Sequence, residues 1–202
     1  MSRRIYISAD FAPNNGDRDV VDEIHRWCID PRRRLDFYDT ANPSCGSISA
    51  DPDCRPCDLK KEFNQQINAS SAVIFVVGDK TASRTAGSLC RRNTEDAWCV
   101  CTPYKQNANG STICKCVATS ATSPDDDIGE INQFSYLEHE FKQAIRRNKR
   151  IVIVYNSLYC QPSWLPTYMG DCEPHAHPFW TRDNRGNRVG NYQLIMKALG
   201  YD

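Results

Sequence analysis

Four short segments of this chain are apolar almost from end to end and rich in β-branched residues. They are "RIYIS" (Arg4–Ser8), "LDFYD" (Leu35–Asp39), "AVIFVVG" (Ala72–Gly78) and "RIVIVY" (Arg150–Tyr155). A strand with one face in water alternates polar and apolar residues, whereas a strand apolar on both faces must be covered on both. Asp36 interrupts the second segment; the other three carry no acid. Amphipathic helical patterns fall between them. Asp17–Cys28 sets Val20, Val21, Ile24, Trp27 and Cys28 on one stripe, and Asp58–Asn68 offers Asp58 as an N-cap with Leu59, Phe63 and Ile67 at helical spacing. The run "FSYLEHEFKQAIRRNKRIVIVY" (Phe134–Tyr155) joins a helix with Leu137, Phe141, Ala144 and Ile145 on its stripe, a stop at Asn148, and the fourth strand. A last helix, "NYQLIMKALG", carries Gly200 as its stop signal. Strand–helix alternation of this kind predicts an α/β fold with right-handed crossovers and a doubly wound parallel sheet.

Three stretches break the rhythm: a Pro/Ser/Asp/Cys-rich loop over Thr40–Pro56, a long insertion over Ser88–Asn132, and a Pro/Trp/His-rich segment over Gln161–Gly190. Long loops in a compact domain are commonly functional. In an open α/β sheet the ligand crevice lies outside the carboxyl ends of the strands, and each of these breaks comes after a strand. The chain of 202 residues accommodates one such domain over 1–202 with the insertion inside it.

Charge and hydropathy exclude two classes of partner. Lys+Arg and Asp+Glu each number 25, and a balanced chain lacks the basic surplus of a phosphate-driven nucleic-acid binder. The clusters Arg32–Arg34 and "RRNKR" (Arg146–Arg150) each precede a strand and read as solvated turn charge. No apolar run approaches the roughly 20 residues of a membrane span, and "MSRRIYIS" opens a strand without a signal-peptide core. The expected location is the cytoplasm.

The helix before the fourth strand carries two carboxylates, Glu138 and Glu140, around His139. At about 100° per residue both flank the apolar arc, on opposite sides, and His139 falls on the exposed arc. Glu138 has Lys142 four residues on, the favourable orientation for a surface ion pair. Glu140 has Tyr136 four residues before it and Ala144 four after, an arrangement that suits either a pocket wall or plain surface charge.

Three stretches resemble a TIR domain, specifically the TIR-like group of bacterial Thoeris anti-phage systems. "RRIYISADF" resembles that family's first strand, "SSAVIFVVGDKTASR" its third strand and the small-residue loop after it, and "YLEHEFKQAIRRNKRIVIVY" its aromatic-x-x-x-Glu helix with the following strand. Tyr136 stands where tryptophan is commoner in the family. The resemblance implies a flavodoxin-like sheet and assigns the catalytic carboxylate to Glu140 and a pocket-lining ring to Tyr136. It further implies NAD as substrate with no cofactor required, a cyclic or modified ADP-ribose product read by a separate effector protein, a phage component as trigger, and a homo-oligomer. The chemistry suits one carboxylate. The nicotinamide of NAD is a cationic pyridinium that departs as a neutral amide, so the general acid of ordinary glycosidases is dispensable. One anion suffices to hold the ribose and to stabilise the developing oxocarbenium charge. Ser8, Asp10 and Phe11 after the first strand are candidate contacts to ribose or base, or a simple strand-end turn. Asp39, ending the second strand, is a candidate for a ribose hydroxyl, or a turn-former. The rival expectations are a TIR scaffold without catalysis and an enzyme similar to nucleoside deoxyribosyltransferases.

Eleven cysteines is an odd number that cannot all pair. "CVCTPYKQNANGSTICKC" reads as a hairpin turning at Asn109–Gly110. Cys99, Cys101, Cys114 and Cys116 are then candidates for a structural zinc site, for free thiols, or for cross-strand disulfides. Cys54-x-x-Cys57 with Cys45, and Cys172 with His175 and His177, are weaker metal alternatives. No G-x-G-x-x-G, P-loop or G-x-S-x-G motif and no internal repeat is present.

Overall fold

A computed structural model describes residues 4–9, 16–30, 36–39, 63–83, 105–106, 112–113 and 135–201. The elements in chain order are β1 (Arg4–Ser8), α1 (Asp17–Ile29), β2 (Asp36–Asp39), α2 (residues 63–69), β3 (Ala72–Val77), β4 (Lys105–Gln106), β5 (Thr112–Ile113), α3 (Tyr136–Arg146), β6 (Arg150–Tyr155), β7 (His177–Pro178), β8 (Trp180–Arg182), β9 (Arg188–Gly190) and α4 (Tyr192–Ala198). Five strands form one sheet in the order β2-β1-β3-β6-β7, and each pairing in it is parallel. The four apolar segments of the sequence are its first four strands. The third stops at Val77 because the Gly78 N–H leaves the ladder to donate to Thr81 Oγ1 at 2.8 Å.

Helices cover both faces, as strands apolar on both sides require. On one face α1 and α4 pack on Ile5, Ile7, Ile74, Val76, Val152 and Val154; on the other α2 and α3 pack on Tyr6, Val73, Phe75, Val77, Ile153 and Tyr155. No helix among the described residues is long and apolar enough to cross a membrane.

Two helix stripes differ from expectation at their ends. Val20, Val21, Ile24 and Trp27 of α1 are buried, but Cys28 is exposed and its thiol donates back to Ile24 O at 3.6 Å. Ile29 beside it is exposed as well, so the last residues of α1 run past the apolar face. On α3, Leu137, Phe141 and Ala144 are buried, whereas Ile145 is 57% exposed. The buried set of α3 is Leu137, His139, Glu140, Phe141, Gln143 and Ala144. With about 100° per residue, that set spans about 200° and centres on Glu140 rather than on Leu137.

The rotation has a cause in α2. His139 Nε2 lies 2.9 Å from Asn64 Oδ1, and Gln143 Nε2 donates to Asn68 Oδ1 at 2.8 Å. Both pairs are 75 residues apart in sequence, so the two helices run parallel in register. His139 is therefore buried, not solvated as its helical position predicts. Replacing His139 with alanine leaves buried Asn64 without that partner. It is expected to destabilise the fold by about 1–3 kcal/mol, readable as a lowered midpoint of urea unfolding.

Both α3 and α4 end on a left-handed residue. Asn148 (φ 48°) closes α3, with Asn148 N bonded to Ile145 O and Lys149 N to Ala144 O, each at 2.9 Å. Gly200 (φ 77°) does the same for α4, with Gly200 N to Lys197 O and Tyr201 N to Met196 O, again at 2.9 Å. This paired-bond stop favours glycine. A Cβ at 200 would also lie 2.1 Å from Arg150 Nη1, the mobile end of a long side chain. Gly200→Ala is expected to cost about 1–2 kcal/mol from the backbone alone, measured by thermal unfolding.

The segment 161–190, aperiodic in sequence, is largely organised. It makes 3-10 turns at Pro162–Trp164 and Thr167–His175, adds β7 beside β6, and ends in the β8–β9 hairpin. The hairpin is fastened to α1: Arg188 pairs with Asp19 at 3.1 Å and stacks over Trp180 at 4.2 Å. In the insertion, β4 and β5 pair antiparallel, Lys105 with Ile113 and Gln106 with Thr112, on either side of Asn109–Gly110 in sequence. Cys99, Cys101, Cys114 and Cys116 lie outside the described residues, as do Cys45, Cys54, Cys57, Asp58 and Leu59.

Candidate active site

The site grows from the alternation of β1. Tyr6 and Ser8 are two residues apart, so both side chains point to the α3 face, and each is 1% exposed. Ser8 is the last residue of β1, at the carboxyl edge of the sheet. On α3, Ser135 caps the first turn by accepting from Glu138 N at 3.1 Å, which sets where the helix begins. Glu140 then lies at the middle of the buried arc, 3% exposed, directly over β1. Tyr6 Oη donates to Glu140 Oε1 at 2.5 Å, and Ser8 Oγ donates to Glu140 Oε2. A buried carboxylate is tolerated only when hydrogen-bonded, and here each oxygen accepts a hydroxyl.

A second tyrosine approaches from the 3-10 segment after β6. The Tyr168 ring leans on Phe141, which meets Phe75 edge-on. Its hydroxyl is enclosed without a hydrogen bond of ordinary geometry. Burial pushes its pKa well above the usual tyrosine range; contact with Ser135 opposes this only in part, and the Glu138 and Glu140 carboxylates add to the rise. Tyr168 is thus a neutral hydroxyl at any physiological pH.

Glu138 pairs with Lys142 at 3.1 Å, the surface ion pair expected from spacing, which separates the roles of the two glutamates. Tyr136 sits one turn before Glu140 with its ring edge-on to Phe63 at 5.6 Å and is 40% exposed. Asp39 ends β2 opposite Ile7, next to the strand that bears Ser8. Asp10 and Phe11 lie outside the described residues. Of the candidates, Ser8 and Glu140 are brought into contact.

Tyr6 and Tyr168 are the members that sequence reasoning missed. For Tyr6 a signal existed: hydroxyl residues at alternate positions of an otherwise aliphatic strand share one face. For Tyr168 none existed, because its segment has no period. Across the sheet a second buried acid appears. Asp17, fully buried at the start of α1, accepts from Asn156 Nδ2 at 3.3 Å, and Asn156 Oδ1 accepts from Trp180 Nε1 at 2.9 Å. Gly78 permits this approach, since a Cβ there would lie 2.5 Å from Asp17 Oδ1. His175 and His177 do not join Cys172 in a metal site: no group of three His, Cys, Asp or Glu among the described residues is disposed to hold an ion. No protein-family model matches the chain, and no curated protein matches it significantly.

Proposed function

We propose that this chain is a TIR-like enzyme that cleaves the N-glycosidic bond of NAD and makes a cyclic or modified ADP-ribose signal in anti-phage defence. The reading is carried by one observation: a buried carboxylate, Glu140, held by two hydroxyls at the carboxyl end of β1. The strand order supports it, because β2-β1-β3-β6-β7 is the 2-1-3-4-5 order of a flavodoxin-like sheet, in which ligands bind at the carboxyl edge. In the proposed reaction a ribose hydroxyl donates to a remaining lone pair of Glu140, beside the hydrogen bonds the carboxylate accepts from Tyr6 and Ser8. The C1′–N bond breaks, its electron pair leaves with neutral nicotinamide, and the anion faces the oxocarbenium carbon. Attack by water gives ADP-ribose and a proton; attack by a nucleophilic atom of the same molecule closes a ring. Tyr136 walls the pocket, with Asp10, Phe11 and Asp39 as further contacts. The partners in this reading are an effector that reads the product, a phage component that triggers synthesis, and further copies of the chain. A structural zinc on Cys99, Cys101, Cys114 and Cys116 belongs to the same proposal.

The burial of Glu140 also favours a second reading, a TIR scaffold without catalysis, since a carboxylate with both oxygens engaged serves packing equally well. Incubating the purified chain with NAD, with and without lysate from infected cells, separates the two by nicotinamide release. Release supports the enzyme; silence under both conditions supports the scaffold. Cleavage of a deoxynucleoside in place of NAD would move the reading to a deoxyribosyltransferase-like reaction.

A further inference from the structure

Tyr6 lies within an apolar cluster where a phenyl ring would pack as well, yet it brings a hydroxyl to Glu140 Oε1 at 2.5 Å. We propose that Tyr6 is a positioning residue which, together with Ser8, fixes the orientation of the Glu140 carboxylate and favours its anionic form, a role that rests on Glu140 being the reacting group. Both donors stand on β1, which is hydrogen-bonded to β2 on one side and β3 on the other. Tyr6 is opposite Tyr38 on one side and Val73 on the other, and Ser8 is opposite Phe75, so the backbone is braced by two strands beneath Tyr6 and by β3 beneath Ser8. A glutamate side chain has three rotatable bonds, and holding each oxygen by a separate donor leaves one carboxylate orientation. Hydrogen bonds to a charged acceptor are about twice as strong as neutral ones and favour the charged state. Tyr168, from the 3-10 segment, feels this carboxylate together with that of Glu138, which is paired with Lys142 on α3, and the neighbouring His139 faces Asn64.

The test titrates the Glu140 carboxyl by carbon-13 NMR in the full chain, assigned by its absence from Glu140→Gln, and compares wild type with Tyr6→Phe and Ser8→Ala. Tyr6→Phe is expected to raise the midpoint by about one pH unit, as loss of a hydrogen bond to the anion requires. In NAD cleavage the same variant is expected to lower kcat about 10- to 100-fold, the range for losing a bond to a charged group. KM should stay within about twofold, because substrate binding does not use the Tyr6 hydroxyl. The acid limb of kcat should move up with the carboxyl midpoint. An unchanged midpoint in Tyr6→Phe, or unchanged kcat in an active enzyme, overturns the role. A lower melting temperature with an unmoved midpoint marks a purely structural hydroxyl and also overturns it. Wild type that releases no nicotinamide overturns the enzymatic reading alone, and the titration still decides whether Tyr6 governs the carboxylate.

Discussion

Glu140→Gln is expected to lower nicotinamide release from NAD about 10²–10³-fold while leaving the melting temperature nearly unchanged. Glutamine keeps the shape of the side chain and removes the charge, and loss of one preorganised electrostatic contact has that magnitude. The fold survives because the hydroxyls of Tyr6 and Ser8 donate or accept as needed, so an amide can occupy the same cradle. Glu140→Leu is different: it strands two buried hydroxyls, at about 1–3 kcal/mol each. The pair of variants separates chemistry from packing. Equal nicotinamide release by wild type and Glu140→Gln would remove Glu140 from the reaction.

Phe141→Ala is expected to destabilise the fold by about 3–5 kcal/mol, the usual cost of truncating a buried phenylalanine. The ring is nearly inaccessible, 5.4 Å from Phe75 beneath it and 5.7 Å from Tyr168 above. It therefore joins three elements: β3, α3 and the 3-10 segment. Its loss also removes the wall against which Tyr168 stands beside Glu140. Urea unfolding followed by far-UV circular dichroism measures the effect. A change below about 1.5 kcal/mol would mean that Tyr168 collapses into the space, since the cost depends on how well the site closes.

The sheet was legible because its strands are apolar on both faces, a pattern with few other solutions; Arg150–Tyr155 was delimited to the residue. The orientation of α3 was not legible. Hydrophobic periodicity locates a buried arc by its apolar members, and half of this arc is polar: His139, Glu140 and Gln143. The burial of His139 and Gln143 depends on Asn64 and Asn68, and that of Glu140 on the hydroxyls of Tyr6 and Ser8, polar partners that no apolar count registers. The same blindness placed Ile145 inside and His139 outside. Glu140 emerged as a candidate through family resemblance and its unmatched spacing, whereas its cradle required coordinates. The segment after β6 hid β7 and Tyr168 for another reason: 3-10 turns, one of three residues and one of nine interrupted by Pro174, and strands of two or three leave no apolar period to detect.

The network of Asp17, Asn156 and Trp180 bears on how the chain is made. The apolar stripe of α1 is completed by Phe179, Trp180, Ile195, Met196 and Leu199, more than 150 residues downstream. During translation that stripe can meet β1 and β3 early but waits for these later partners to leave the ribosome. Folding of this half of the molecule consequently draws on distant pairings, which are slow to form. A polypeptide halted before residue 179 keeps Asn156 for Asp17 but lacks the Trp180 indole that steadies that amide and the side chains that cap the far end of the α1 stripe.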